Sequence, residues 1–326
     1  MCIVPFFFPR ISVIAHNLTF IELHIGSSLV GGSVIGGSTV QLYMQAISNK
    51  MIRIAKCCLF NTLPPLKTPF RAAVSTLSQA VNYERFGASQ RDEGVKLINR
   101  LSIKPGSTVL DLGCGTGYLA KVLSKKVGNR GRVVAVDPDE ERLEVARQLY
   151  SADNIHYEQA DDKSFPLVPY DLVFCNATIH WIRDKERLFQ RVHQMLQPGG
   201  CFAFTTPDSY LPIPSIGKKL FDSLLGPEFL HRMHTEVKVY LSTKEYLTLA
   251  LDTGFEVTSI RTENIEVYWE DLDQYVEAMF GWFGGEFDPS QFDENVLQRL
   301  REENQYGPVV LPEPIRKLEF ILTKTL

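Results

Sequence analysis

The chain has 326 residues, of which 44% are hydrophobic and 22% charged, a composition that suits one large globular domain or two small ones. The formal net charge of -4 excludes a global basic field that would hold the protein on nucleic acid or an anionic membrane, so a small-molecule partner is favoured. The six cysteines include no Cys-x-x-Cys pair, which indicates neither a metal site nor a disulfide framework.

Residues 1–78 are predicted to form a disordered leader or targeting segment, followed by one domain over 79–326. Residues 1–80 contain one acidic residue, Glu22, against six basic ones. From Met51 onward the composition is that of a mitochondrial presequence, and the alternatives are an untargeted leader or sequence upstream of the true start. Charged residues and prolines interrupt the early apolar stretches, so no membrane span is expected. We expect a cytoplasmic protein, or a mitochondrial one if the segment from Met51 is a presequence.

From residue 88 onward, apolar positions alternate between strand and helix periods. The pattern predicts strands at 108–112, 132–136, 155–159, 170–176, 201–205, 255–260 and 318–323. It predicts helices at 95–101, 118–123, 140–149, 184–196 and 241–251. Strands that alternate with helices at this spacing indicate βαβ units, so the fold class is α/β with a doubly wound, mostly parallel, seven-stranded sheet.

Two segments interrupt the alternation. Residues 207–240 carry four prolines among helical fragments and are too long for a simple connection, which predicts a helical cap or lid insertion. Residues 270–304 are helical by pattern and rich in aromatic residues. These aromatic side chains could line an apolar substrate pocket or pack as ordinary core.

A glycine turn follows the first strand. Asp111 closes the strand, and Gly113, Gly115 and Gly117 let the backbone turn sharply and approach a ligand closely. The register is G-x-G-x-G, with Tyr118 where a dinucleotide fingerprint needs its third glycine. A carboxylate before the glycines suits an ammonium group and would repel a pyrophosphate, so the pattern argues against a dinucleotide.

Acidic residues also end the next two strands. Asp137 stands where a carboxylate can accept hydrogen bonds from two ribose hydroxyls, and Pro138 beside it is an apolar neighbour for adenine. Asp161 could accept from the adenine amino group, with the backbone N–H of Asp162 beside it. Any one of these acids could instead be a turn residue or a helix N-cap. Three acids at the ends of successive strands favour a binding role.

Residues 83–206 resemble the class I methyltransferase fold throughout. The matching motifs are Val-Leu-Asp-Leu-Gly-Cys-Gly-Thr-Gly from 109, Val-Val-Ala-Val-Asp-Pro from 133, Tyr-Asp-Leu-Val-Phe-Cys-Asn from 170 and Leu-Gln-Pro-Gly-Gly from 196. The resemblance implies a Rossmann-like sheet that binds S-adenosyl-L-methionine. It implies a cofactor loop from Asp111 to Gly117 that includes Cys114, and a site completed by Asp137, Asp161, Asp162 and Asn176.

Within that fold, the chain resembles the branch of trans-aconitate methyltransferase and the insect juvenile hormone acid methyltransferases. The resemblance rests on Asn-Ala-Thr-Ile-His-Trp at 176–181, on Tyr-Glu-Arg-Phe-Gly-Ala-Ser-Gln at 83–90 and on the ending from 309. It implies that the segment around Gln90 folds over the cofactor and that the acceptor is a carboxylate of an organic or apolar acid. Gln90 and Trp181 are the expected substrate anchors, with His180 as their neighbour.

Methyl transfer from a sulfonium to a carboxylate needs no general base, because the nucleophile is already ionised at neutral pH. It needs orientation and exclusion of water, for which the Gln90 amide and the Trp181 indole N–H are suitable donors. Trp181 could instead be a core residue and Gln90 a solvated helix residue. His180 could also serve as a base for a hydroxyl or amine acceptor. A cofactor-binding module without turnover is the alternative from a different class.

Overall fold

The computed structural model describes residues 79–208, 212–232, 239–283 and 292–325. The predicted leader lies outside these residues, so its assignment and the mitochondrial alternative stay predictions. The strands are β1 (Thr108–Leu112), β2 (Arg132–Asp137), β3 (Ile155–Gln159), β4 (Tyr170–Asn176), β5 (Leu196–Pro207), β6 (Phe255–Ile265), β7 (Tyr268–Trp269), β8 (Val309–Val310) and β9 (Ile315–Lys324). None of the described helices has the length and apolar content that a membrane crossing needs.

Nine helices with both ends described flank these strands, and a helical segment at 79–86 precedes them. They are α1 (Ala88–Arg100), α2 (Tyr118–Val127), α3 (Glu140–Tyr150), α4 (Lys185–Met195), α5 (Ser215–Leu225), α6 (Glu228–Arg232), α7 (Thr243–Asp252), α8 (Leu272–Phe283) and α9 (Glu294–Glu303). A short 3₁₀ turn, Ile179–Trp181, follows β4.

Seven strands form one sheet in the order β3-β2-β1-β4-β5-β9-β6. β1 to β5 pair in parallel, whereas β9 runs antiparallel to both β5 and β6. The prediction of a doubly wound, mostly parallel, seven-stranded sheet is therefore confirmed. The chain order reverses between β1 and β4, so the carboxyl ends of these two strands flank the crevice where such sheets bind ligands.

Both faces of the central strands are buried, which explains their nearly continuous apolar runs. Along β2, Val134 and Val136 belong to one hydrophobic cluster, while Val133 and Ala135 belong to the cluster on the other face. The first cluster packs under α4 and α7, and the second under α1 and α2. Alternate side chains of one strand thus anchor helices on opposite sides of the sheet.

A third hydrophobic cluster joins α5, α6, α8, α9 and the small sheet of β7 and β8. Its members include Trp269, Tyr275 and Phe280 from the aromatic segment, all of which are buried. These three side chains therefore pack as core, which is one of the two alternatives for the aromatic segment. Helices α5 and α6 lie within the predicted insertion at 207–240, and the role of this insertion as a lid stays a prediction.

Several element boundaries differ from the sequence prediction, those of β5 and β6 among them. β5 begins at Leu196 and not at 201, because Leu196 pairs with Tyr170 ahead of a register shift in the β4–β5 ladder. β6 continues to Ile265 and not only to 260, because β9 pairs with it along that length. The two-residue strands β7 and β8 were not predicted, since an element of that length shows no apolar period.

Candidate active site

The turn from Gly113 to Gly117 joins β1 to α2 and has a backbone that only glycine adopts easily. The φ angles of Gly113, Gly115 and Gly117 are 76°, 54° and 86°. A Cβ on Gly113 would lie 2.2 Å from Cγ2 of Thr178, which follows β4. The turn is therefore pressed against the neighbouring strand end, and its geometry leaves no room for a side chain at Gly113.

Asp111 supplies a buried carboxylate at the base of this turn. Among the described residues, its Oδ2 atom is buried and has no hydrogen-bond partner. Burial, and then the negative charge of Asp137, raises the pKa of Asp111 to about 8. A carboxylate in this position is stabilised by a cation beside it, and the ammonium group of an amino acid meets that need.

Asp137 ends β2 and braces the glycine turn. Its Oδ2 accepts a hydrogen bond of 2.8 Å from the Gly115 N–H, and its Oδ1 accepts one of 3.0 Å from the Asp139 N–H. Burial raises the pKa of Asp137, and the nearby Arg142 guanidinium opposes that rise. A carboxylate oxygen can accept more than one hydrogen bond, so ribose hydroxyls can still bind to Asp137. The predicted adenine neighbour Pro138 follows directly and accepts a hydrogen bond of 3.0 Å on its carbonyl oxygen from a glutamine of β3.

Asp161 and Asp162 follow β3. The Oδ1 atom of Asp161 accepts hydrogen bonds from the Lys163 N–H at 3.0 Å and the Ser164 hydroxyl at 2.6 Å. The hydrogen bond from Ser164 is the main cause that lowers the pKa of Asp161. Burial, and then the charge of Asp161, raises the pKa of Asp162. Asp161 therefore stabilises a turn, which was the alternative to a binding role. Its contact with adenine stays a prediction.

A cavity with an empty volume of about 400 Å³, including space open to solvent, lies beside the glycine turn. Five predicted site residues line it together, namely Gln90, Asp111, Gly113, Cys114 and Asn176. The remaining lining residues are Tyr83, Gly87, Arg91, Thr116, Tyr118 and Leu119. The structure thus brings the cofactor loop of β1, the end of β4 and the segment around Gln90 to one place.

The segment around Gln90 covers the turn, and Asn176 fastens it to the sheet. The Nδ2 group of Asn176 donates to the Gln90 carbonyl oxygen at 3.1 Å, and its Oδ1 accepts from the Thr205 hydroxyl at 2.8 Å. The Oε1 atom of Gln90 is buried without a hydrogen-bond partner among the described residues. The amide of Asn176 therefore positions α1 against β4 and β5, while the amide of Gln90 faces the cavity.

His180 and Trp181 lie in the 3₁₀ turn after β4. The buried ring of His180 stacks on Tyr240 with 5.4 Å between ring centroids, and its Nδ1 lies 3.4 Å from the hydroxyl oxygen of Thr206. The ring centroid of Trp181 is 5.7 Å from that of His180, and its side chain is 37% exposed. Neither residue belongs to the lining of the cavity described above. Their assignment to the acceptor therefore stays a prediction.

The model of the methyltransferase domain family matches residues 86–260, which is more than half of the chain. The chain belongs to the methyltransferase domain family. The matched residues include the glycine turn, Asp137, Asn176 and the His180–Trp181 pair. Class I methyltransferases use S-adenosyl-L-methionine, the cofactor that the sequence predicted.

Curated relatives agree with this family. The chain is 34% identical to malonyl-[acyl-carrier protein] O-methyltransferase of Serratia marcescens over 42% of its own length and 52% of the relative's. It is 33% identical to trans-aconitate 2-methyltransferase of Azoarcus sp. over 39% of its own length and 50% of the relative's. The chain thus spans about half the length of the curated relatives that it matches.

A solved structure shows the same fold. The crystal structure of a proposed methyltransferase from Bacillus halodurans C-125 aligns with 72% of this chain and 100% of its own, with a TM-score of 0.50 at 16% identity.

Sequence reasoning missed four polar or aromatic residues that line the cavity of this methyltransferase domain, namely Tyr83, Arg91, Thr116 and Tyr118. All four stand inside or beside segments that the sequence singled out. Thr116 lies in the glycine turn and Tyr118 is the first residue of α2. Tyr83 and Arg91 lie on either side of Gln90 in the sequence. Proximity in sequence to a predicted ligand loop was the signal that could have identified them.

Proposed function

We propose that this chain transfers the methyl group of S-adenosyl-L-methionine to a carboxylate oxygen of a small organic acid and so forms a methyl ester. The observation that carries the proposal is the buried Oδ2 atom of Asp111, which has no protein partner among the described residues and lines the cavity beside the glycine turn. The ammonium of the cofactor's methionine moiety is the partner that such a carboxylate requires.

The proposed cofactor position follows from the strand ends. Asp111 would hold the methionine end, Asp137 the ribose hydroxyls, and the segment of Pro138, Asp161 and Asp162 the adenine. Gly113, Gly115, Gly117 and Cys114 would bring the backbone close to the ligand, with Asn176 at the edge nearest the acceptor. The cofactor supplies a methyl group on a positively charged sulfur.

The choice of a carboxylate acceptor is supported by two relatives. One is named for O-methylation of a malonyl group and the other for methylation of trans-aconitate. In both molecules the ionisable oxygens are those of carboxylates. The bound cofactor would supply its methyl carbon in line to an acceptor oxygen of this kind, with the electrons of the broken sulfur–carbon bond left on sulfur. No proton moves, so the protein needs only to orient the reactants and exclude water.

Gln90 is the anchor that the geometry supports best, because its side chain shares a cavity with Asp111. Its amide can position an oxygen without neutralising it. Trp181 and His180 would complete the acceptor site from the turn after β4. If the acceptor carries a hydroxyl or amine, His180 is the candidate base.

The test uses the full chain with deuteromethyl-labelled S-adenosyl-L-methionine and a panel of acceptors. The panel contains trans-aconitate, long-chain and terpenoid acids and a malonyl thioester, with hydroxyl and amine compounds as comparisons. We expect a labelled product that loses its label under mild alkali, as a methyl ester does. Label that survives alkali would contradict esterification and indicate a hydroxyl, amine or carbon acceptor. Cofactor binding without turnover on any compound would favour a non-catalytic module.

A further inference from the structure

Glu84 stands at the centre of a set of contacts that no step of the proposed reaction uses. Its carboxylate accepts a hydrogen bond of 2.5 Å from the Thr116 hydroxyl and another of 2.5 Å from the Tyr150 hydroxyl. The Arg91 guanidinium lies 3.4 Å from the same carboxylate and also donates to the Glu84 carbonyl oxygen. One side chain therefore joins the segment 79–86, the glycine turn, the end of α3 and the first turns of α1.

The contacts at Glu84 are protected from solvent. The side chain of Glu84 is 17% exposed and that of Arg91 22%. Burial, and then the hydrogen bond to Glu84, raises the pKa of the Tyr150 phenol, which therefore keeps its proton and remains a donor at neutral pH. Hydrogen bonds to an ionised acceptor in a partly buried place are stronger than neutral ones.

Tyr83, the residue before Glu84, lies against the glycine turn and so connects the Glu84 contacts to the ligand site. A Cβ on Gly115 would lie 3.0 Å from the Tyr83 ring, and the Arg142 guanidinium packs on the same ring at 4.2 Å from its centroid. Tyr83 thus covers the glycine turn, and a ligand held between Asp111 and the turn lies beneath it. We therefore expect passage of a ligand past this ring to require movement of the segment that carries Tyr83.

We propose that Glu84 is a positioning residue that fastens the segment 79–86 across the cofactor site and thereby sets the rate of cofactor exchange. This inference rests on the proposed function, because it places the cofactor beneath Tyr83. The three bonds to Glu84 are made by protein groups alone, so the ligand adds nothing to them. Their loss should raise the association and dissociation rates of the cofactor together and change the dissociation constant less than either rate.

Two variants and one control separate this role from a general loss of structure. Tyr150→Phe removes one donor to Glu84 and keeps the ring, and Tyr150 does not line the cavity. Glu84→Ala removes the carboxylate that Thr116, Tyr150 and Arg91 contact and leaves the bond from Arg91 to the main-chain carbonyl oxygen, while Glu84→Gln keeps one side-chain acceptor oxygen. Arg85→Ala is the matched control, because Arg85 joins the same segment to Glu277 through an exposed ion pair of 2.9 Å. Exposed pairs of this kind contribute little.

The experiment measures association and dissociation of S-adenosylhomocysteine by stopped flow, with melting temperature as the check on folding. We expect Glu84→Ala to raise both rates by about tenfold or more, because each lost bond to the charged group weakens the fastening. Glu84→Gln and Tyr150→Phe should fall between it and the wild type, and Arg85→Ala should exchange at the wild-type rate.

Wild-type rates in both Glu84→Ala and Tyr150→Phe would overturn the inference and leave the proposed function intact. A rise confined to the dissociation rate would also overturn it, since that is the result of a lost ligand contact. Failure of the wild-type chain to bind S-adenosylhomocysteine would overturn the proposed function and the inference with it.

Discussion

Asp111→Asn is the substitution whose outcome depends most directly on the buried carboxylate. The pKa of Asp111 is raised from an ordinary 3.8 to about 8, so the carboxyl group is mostly protonated at pH 7 in the chain alone. An ammonium group binds the ionised form, and its arrival must therefore release a proton. With a pKa near 8, about 0.9 proton leaves at pH 7, and the affinity rises about ninefold between pH 6 and pH 7.

The raised pKa of Asp111 also makes the stability of the folded chain depend on pH. Between pH 3.8 and about 8 the unfolded chain loses the Asp111 proton while the folded chain keeps it. The free energy of unfolding therefore falls as pH rises through this window. Asp111→Asn removes this dependence and should stabilise the chain at pH 7, by about 4 kcal/mol at most. The same variant should bind the cofactor more weakly.

The assay is isothermal titration calorimetry of S-adenosylhomocysteine in two buffers of different ionisation enthalpy at pH 7. The wild type should release close to one proton, and the apparent affinity of Asp111→Asn should be lower and nearly independent of pH. Asp92→Asn, at an exposed acid of α1, is the control and should behave as the wild type. Binding to the wild type without proton release would contradict this role of Asp111. So would an Asp111→Asn variant that melts at a lower temperature and binds with unchanged affinity.

Three further substitutions test other parts of the account. Trp181→Ala should raise the KM of the acceptor about tenfold or more while the affinity for S-adenosylhomocysteine is kept, and loss of cofactor binding would contradict its assignment. Gly113→Ala should lower the free energy of unfolding by about 3 kcal/mol, because the added Cβ would clash with Thr178 and the φ of residue 113 is left-handed. An unchanged denaturation midpoint would contradict that close approach. Lys317→Met should cost about 1.5 to 3 kcal/mol, because it removes the more buried of the two lysines that pair with Glu93 and leaves only Lys96. Addition of Glu93→Gln should recover part of that loss, and no recovery would show that the pair is not the cause.

The central strands could be predicted from sequence because burial on both faces leaves a strong signal. Thr108–Leu112 and Tyr170–Asn176 have the bounds that their apolar runs indicated. The doubly wound, mostly parallel arrangement followed from the βαβ alternation and the resemblance to a known fold. By contrast, the ladder shift that starts β5 at Leu196 depends on its partner Tyr170 and has no local signature.

The cofactor side of the site was more predictable than the acceptor side. Asp111 and Gly113 were predicted from the end of the first strand and Asn176 from the resemblance to class I methyltransferases, and the structure places all three on one cavity. The role of Glu84 could not be predicted, since Thr116 and Tyr150 reach it from elements 32 and 66 residues away.

The acceptor side depends on packing between distant segments. Trp181 was predicted from a motif alone, and its ring lies in a turn outside the lining of the described cavity. No periodicity shows which aromatic residues fill a core and which face a ligand, as the burial of Trp269 and Tyr275 shows.

The most direct measurement is a crystal structure of the full chain with S-adenosylhomocysteine. We predict that its amino nitrogen lies within about 3 Å of the Asp111 carboxylate, a hydrogen-bond distance, with the ribose on Asp137 and the Tyr83 ring over the ligand. A ligand bound elsewhere, or one whose amino group has no contact with Asp111, would contradict it.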